Sequence, residues 1–171
     1  MNTHPVSRLD LVTTWGVIRL TAGGGRLLTC ELPFQRTAPI AAPRITGRKL
    51  ILAVASDRRV LQQAEKFIRA CLRGLPPRAI PQLNPKVAGG FTARVLAALQ
   101  KIPSGATMTY GDIARRIGAP RAARAVGTAC GANPLPLFIP CHRVVAAGDA
   151  LGGFSAGLAW KKFLLAKECG G

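Results

Sequence analysis

Arg121 to Val145 reads RAARAVGTACGANPLPLFIPCHRVV. Its first ten residues combine two arginines with very small side chains, the pattern of a short helix that can lie close to another surface while its arginines extend. Asn133-Pro134 and Pro136 break that helix, and Leu137-Phe138-Ile139 predicts a short rigid extended run. The run enters Pro140-Cys141-His142-Arg143-Val144-Val145. A thiolate is the strongest common protein nucleophile, and it ionises near neutral pH only beside cationic neighbours, which His142 and Arg143 offer. Pro140 fixes φ and stiffens the chain entering Cys141. Neighbouring residues of an extended segment point to opposite faces, so Cys141 and His142 meet directly only at a turn, or through a bridging water. On these residues alone, a buried, inert cysteine followed by a charged loop fits equally well.

Upstream, Thr109-Tyr110-Gly111-Asp112 has the form of a capping box for a short helix with Ile113 and Ile117 inward, closed by Gly118 and Pro120. Two short helices joined by a tight turn containing glycine suggest a helix-turn-helix. An Ala-rich helix packed on its neighbours is the alternative for 121–130. Phe91, Val95, Leu99 and Ile102 mark one face of an earlier helix that Pro103 stops. Downstream, Gly152-Gly153 make a flexible turn. A last helix is expected from Gly157 to Cys169 with Leu158, Leu164 and Leu165 inward.

The first half has a different period. Trp15 to Leu20 and Leu27 to Leu32 are strand-like runs around Gly23-Gly24-Gly25, a hairpin signature. Pro33 to Lys49, with three prolines, reads as a surface loop, and Leu50 to Val54 as a third strand. Asp57 is placed to cap a helix carrying Leu61, Ala64, Ile68 and Leu72 and ending at Gly74. The expected fold is α+β: a small antiparallel sheet-and-helix domain over 1–85, then a mostly helical domain over 86–171 containing the helix-turn-helix. Pro76 to Gly90, rich in proline, is the expected linker.

The chain has 171 residues, with 24 Lys and Arg against 7 Asp and Glu, for a net charge of +17. Thirteen basic and four acidic residues lie in 1–85, and eleven and three in 86–171. The charge is therefore a field over the whole body, which favours a polyanion such as nucleic acid, with a generic solubilising surface as the alternative. No apolar run reaches transmembrane length, no long basic amphipathic helix suits a membrane surface, and Met1 to Asp10 lacks the apolar centre of a signal peptide. Cys30, Cys71, Cys130, Cys141 and Cys169 are odd in number and widely spaced, which predicts free thiols in a reducing compartment. Zinc is not expected, because only His4 and His142 are available to join them.

The stretch from Arg121 through Val145 resembles the O6-alkylguanine-DNA alkyltransferases, also called methylated-DNA–protein-cysteine methyltransferases. The likeness extends over Phe91 to Glu168, including IPSGATMTY ending at Tyr110 and the later GGFSAGL. It is weaker over the first half, where the family also has a small sheet-and-helix domain. The resemblance implies direct repair of O6-alkylguanine in double-stranded DNA, with O4-alkylthymine left open as a second substrate. The damaged base is turned out of the stack, and its alkyl group moves irreversibly to a cysteine, once per chain, with no cofactor; some relatives bind zinc in the first domain, but this chain does not show the ligands. By position, Cys141 is the acceptor, His142 deprotonates it through a water, and Glu168 orients His142. Arg124 fills the space of the flipped nucleotide. Tyr110 crowds the adjoining phosphate and donates to the guanine ring. Arg121, Ala123 and Thr128 are DNA contacts. Asn133 ties the recognition helix to the cysteine loop. Val144 through its carbonyl and Ser155 through its N–H read the base, with Pro136 and Phe154 as walls. Phe154 stands where the family usually has tyrosine, and Thr92 and Leu96 replace a common Gln and Trp. The resemblance further implies a monomer in the cytoplasm, at the nucleoid in a prokaryote or in the nucleus of a eukaryote.

Overall fold

The computed structural model describes residues 5–37, 39, 41–85, 89–148 and 150–170. His4 and most of the Met1 to Asp10 segment's first half therefore lie outside the described residues, as do 86–88 of the expected linker. Four strands, β1 (Ser7–Thr13), β2 (Gly16–Gly23), β3 (Arg26–Glu31) and β4 (Ile45–Ile51), form an antiparallel sheet in the order β3-β2-β1-β4. Alternation puts Leu9, Leu11, Ile18, Leu20, Leu27 and Cys30 on a buried face, with Leu9 opposite Leu20 and Leu11 opposite Ile18. The other face carries ion pairs, Asp10 taking Arg8 at 3.0 Å and Arg19 at 3.2 Å. Gly24 and Gly25 make the hairpin turn at φ of 60° and 71°, a conformation that L side chains rarely adopt.

Helix α1 (Asp57–Leu72) lays Leu61, Ala64 and Ile68 on the buried face of the sheet. Three expectations for this half change. Central strand β1 was not anticipated, because its outward positions carry Arg8 and Asp10. The strand expected at Leu50 to Val54 is β4, Ile45–Ile51, which takes in the last five residues of the expected Pro33 to Lys49 loop. It is an edge strand whose Thr46, Arg48 and Lys49 face solvent, so its composition is that of a loop and only its pairing with β1 makes it a strand. Asp57 is the first helical residue, with Ser56 at the cap, and its buried carboxylate accepts from the Gly25 N–H at 2.8 Å.

The second half contains α2 (Phe91–Leu99), α3 (Tyr110–Arg116), α4 (Ala123–Gly131) and α5 (Leu158–Glu168). The capping box is present: Thr109 Oγ1 accepts from the Asp112 N–H at 3.1 Å while Asp112 Oδ2 accepts from the Thr109 N–H at 2.9 Å. Helices α3 and α4, joined by residues 117–122, pack on each other and on α2. A two-residue parallel pair, β5 (Met108–Thr109) with β6 (Val144–Val145), holds the start of α3 beside the cysteine loop. The expected linker is partly built into the sheet domain: Gln82 O and the Asn84 N–H bond to Leu27 at 2.8 Å each.

The two halves share one core. Phe67 of α1 stacks on Phe138 with centroids 4.6 Å apart, and Trp15 meets Trp160 of α5 edge-on at 4.9 Å. The Cys30 N–H donates to Pro134 O, and the Trp160 indole N–H to Pro33 O, both at 2.8 Å. No helix among the described residues is long and apolar enough to cross a membrane.

Candidate active site

Cys141 opens a single 3-10 turn, Cys141–Arg143, and is only 4 % exposed. The segment before it is not the expected extended run. Residues 135–139 turn, with the Ile139 N–H donating to Leu135 O at 2.9 Å and Leu137 in the left-handed region at φ 74°. A non-glycine residue held there stores local strain, and the surrounding packing must pin it. Asn133 is one pin. Its Nδ2 donates to Ile139 O at 2.8 Å and to Cys141 Sγ at 3.2 Å, and its Oδ1 accepts from the Leu135 N–H at 3.0 Å. The side chain thus links the end of α4 to the thiol.

Behind the thiol lies a charged network. His142 is 2 % exposed, and its Nε2 meets Glu168 Oε1 at 2.9 Å. Arg143 grips the same carboxylate, Nε on Oε2 at 2.9 Å and a terminal nitrogen on Oε1 at 2.8 Å, and also donates to Ile102 O at 2.6 Å. Burial alone would raise the Glu168 pKa, but the hydrogen bonds from His142 and Arg143 outweigh it and hold the carboxyl down at about 2. An ionised Glu168 accepts, so His142 Nε2 carries the proton of this bond. Its Nδ1, without a protein partner among the described residues, keeps a lone pair. Burial lowers the His142 pKa, with Glu168 opposing, so the ring is favoured neutral.

This arrangement revises how the thiol is activated. Of the two cations that the neighbouring residues offer to Cys141, Arg143 is turned to Glu168 and Ile102 and His142 is favoured neutral, which leaves the expectation of His142 as proton acceptor in place of a cation. Burial raises the Cys141 pKa, opposed by the Asn133 hydrogen bond and then by Lys161. The resting group is therefore a thiol, and any reaction at its sulfur as a nucleophile requires that the proton leave.

Lys161 is the residue that the sequence reading missed. It is fully buried on α5, its Nζ donates to Val144 O at 2.6 Å and to Gly153 O at 3.2 Å, and it lies 6.0 Å from the Tyr110 ring centre. Burial lowers its pKa while Cys141 and Cys130 oppose the shift. A signal existed: Lys161, Leu164 and Glu168 fall at i, i+3 and i+7, one helical face. The expected inward Leu158 is instead 42 % exposed, and the inward face runs through Trp160, Lys161 and Leu164.

A cavity of about 490 Å³ opens over Cys141, lined by Tyr110, Ala123, Arg124, Cys130, Phe154 and Ser155 among others. The Tyr110 ring lies against Gly127 and Gly152. At Gly152, with φ 65°, a Cβ would come within 2.8 Å of the phenol oxygen, so only glycine keeps the ring there. Burial raises the Tyr110 pKa, so the phenol keeps its proton to donate. Arg121, Arg124 and Thr128 are exposed on or just before α4. Asn133 and Pro136 line a second cavity, of about 370 Å³, which adjoins the first at Gly131 and Ser155. Val144 is buried with its carbonyl already on Lys161. Among the described residues no three His, Cys, Asp or Glu side chains group as metal ligands.

Residues 90–170 match the family described as 6-O-methylguanine DNA methyltransferase, DNA binding domain. A methylated-DNA–protein-cysteine methyltransferase of Mycolicibacterium paratuberculosis is 55% identical over 78 residues, 46% of this chain and 47% of that one. The aligned part thus spans about half of that relative. A namesake from Methanosarcina acetivorans is 40% identical over 111 residues, 65% of this chain and 68% of its own. The fold superposes on a crystal structure of Mycobacterium tuberculosis OGT in complex with DNA with a TM-score of 0.75. That match has 31% identity and covers 94% of this chain and 91% of that one. A crystal structure of M. tuberculosis O6-methylguanine methyltransferase gives 0.72 at 29% identity, covering 97% and 94%. Matched in sequence over its helical half and in fold over nearly its whole length, the chain belongs to the methylated-DNA–protein-cysteine methyltransferase family.

Proposed function

We propose that Cys141 takes the alkyl group from O6-alkylguanine in double-stranded DNA, once per chain. The observation that carries this reading is the placement of Cys141 at the base of a cavity between α4 and residues 153–155, with the His142–Glu168 pair behind it. A cavity of this size is within the range of small-ligand pockets, and a base turned out of the helix is such a ligand. His142 Nδ1 takes the thiol proton through a water while Glu168 fixes the ring. Sulfur forms a bond to the alkyl carbon as the carbon–O6 bond breaks. The thiol proton ends on the guanine, which leaves repaired, and the thioether stays on the protein. Tyr110 donates to the departing base, and Lys161 ties Val144, three residues after the thiol, to Gly153, which lines the cavity.

On the DNA side, Arg124 fills the stack from which the base has left, and Arg121, Ala123 and Thr128 contact the backbone. Val144, Ser155, Phe154, Pro136 and Asn133 shape the base site. Residues 1–85 form a supporting domain and 86–171 the domain that binds DNA and accepts the alkyl group; the sheet and α1 fall in the first and α2 to α5 in the second. The protein acts as a monomer in the cytoplasm, with O6-alkylguanine as the main lesion and O4-alkylthymine a second candidate.

The test is intact mass measurement after incubation with an O6-methylguanine duplex, followed by peptide mapping. One methyl per chain, on Cys141, is expected. Turnover beyond one equivalent, or a methyl on Cys30, Cys71, Cys130 or Cys169, overturns the reading.

A further inference from the structure

Helix α1 carries a line of cations that the alkyl-acceptor site does not use. Arg59, Lys66 and Arg73 stand seven residues apart. Seven residues are close to two full turns, so Arg59, Lys66 and Arg73, the residue that caps the helix, align along one side of α1 about 10.5 Å apart. Arg78, in the segment that follows, extends the line. Among the described residues none of the four has an acidic partner: of the two acids on this helix, Glu65 is taken by Arg69 at 2.8 Å and by Arg48 at 3.5 Å, and buried Asp57 holds Gly25. Two clefts run beside the line, between α1 and residues 75–82, and meet at Gln63. Each has a volume of about 330 Å³. Lys66, Arg73 and Arg78 line the first and Arg59 the second.

We propose that this face of α1 binds the phosphate backbone of a second DNA duplex, separate from the one held at α4. The repeat of unpaired charge along a rod suits a regular polyanion rather than a single anionic group, which needs convergent donors. Nine of the thirteen basic residues of the first half, all but Arg8, Arg19, Arg48 and Arg69, enter no ion pair among the described residues, and α4 with its arginines belongs to the second half. Helix α1 packs on the sheet and α5, whereas α4 packs on α2 and α3, and no residue of the α1 clefts lines the cavity over Cys141. The two faces are therefore built on different layers. The inference rests on DNA as the partner and not on the alkyl-transfer chemistry.

The experiment is a bridging assay. A lesion-bearing duplex is immobilised, the full chain is captured on it, and a labelled undamaged duplex is added. Wild type should retain the label. The Arg59→Ala/Lys66→Ala/Arg73→Ala/Arg78→Ala variant should retain about tenfold less, because four phosphate contacts and their counterion release are lost. A variant of equal charge, Arg26→Ala/Arg36→Ala/Arg44→Ala/Lys49→Ala, should bridge as wild type does. Transfer from free O6-benzylguanine reports that each variant is folded. Equal bridging by the α1 variant, equal loss in both variants, or no bridging by wild type overturns the proposal. Failure of the protein to be captured on the first duplex would instead strike the reading of DNA as partner.

Discussion

The sheet and the cysteine loop are both buried, but different forces hold them. The sheet rests on backbone ladders and an apolar face, so each of its side chains contributes a small, replaceable share. The loop rests on a few polar side chains in a dry setting: Asn133, Glu168, Arg143 and Lys161 each bond two or more groups. Removing one such side chain leaves buried donors or acceptors unpaired, which costs far more than a lost surface contact. Chemistry is thus concentrated where single substitutions are most damaging.

The largest expected effect is Cys141→Ala, which should abolish methyl transfer to the protein while duplex binding and the unfolding midpoint stay close to wild type. Residual transfer, read by mass, would move the acceptor elsewhere. Glu168→Gln should slow transfer about a hundredfold, the lower range for acid–base assistance. It should also change the acid limb of stability. Glu168 is held at about 2 against an ordinary 4.5, so the unfolded chain binds the extra proton between those values. The stabilisation is full above pH 4.5 and is lost as pH falls toward 2. Urea unfolding between pH 2 and 5 should show a shallower pH dependence in the variant.

Asn133→Ala should cost about 2–3 kcal/mol by urea titration, since the buried Leu135 N–H and Ile139 carbonyl lose their partners. It should also move the Cys141 pKa further up, because the Asn133 bond lowers it, and iodoacetamide alkylation would need higher pH. A variant that kept wild-type stability would mean that the loop is pinned from elsewhere.

Arg124→Ala should slow repair of duplex DNA about tenfold, roughly 1.4 kcal/mol of the base-extrusion cost. Reaction with free O6-benzylguanine should change much less, since a free base needs no extrusion. Equal slowing of both would make Arg124 a pocket residue. The smallest effect belongs to the sheet: Thr21→Val removes the 2.7 Å hydroxyl contact with Thr29 and should cost about 0.5 kcal/mol, with transfer unchanged.

Much of the site was legible in the chain because its cues are local. The capping box of Thr109 and Asp112, the helical face of Phe91, Val95 and Leu99, and the PCHRV segment all operate over a few residues, the range within which periodicity and capping act. Central strand β1 and edge strand β4 were not, since a strand with charged or solvent-facing alternate positions is defined by its partner rather than by its own composition.

The sequence by itself determined the candidate acceptor, the order of the helices and the excess of positive charge that points to nucleic acid. Tertiary structure decided the electrostatics of the thiol. Arg143 is paired with Glu168 across 25 positions, Lys161 with Val144 across 17, and Cys30 with Pro134 across the sheet boundary. A charge beside a cysteine in the chain reveals its sign, but not its direction. Here the neighbouring arginine turns away to secure a carboxylate, and a lysine twenty residues downstream is buried against the Val144 carbonyl just past the thiol, because only folding sets which buried groups must satisfy one another.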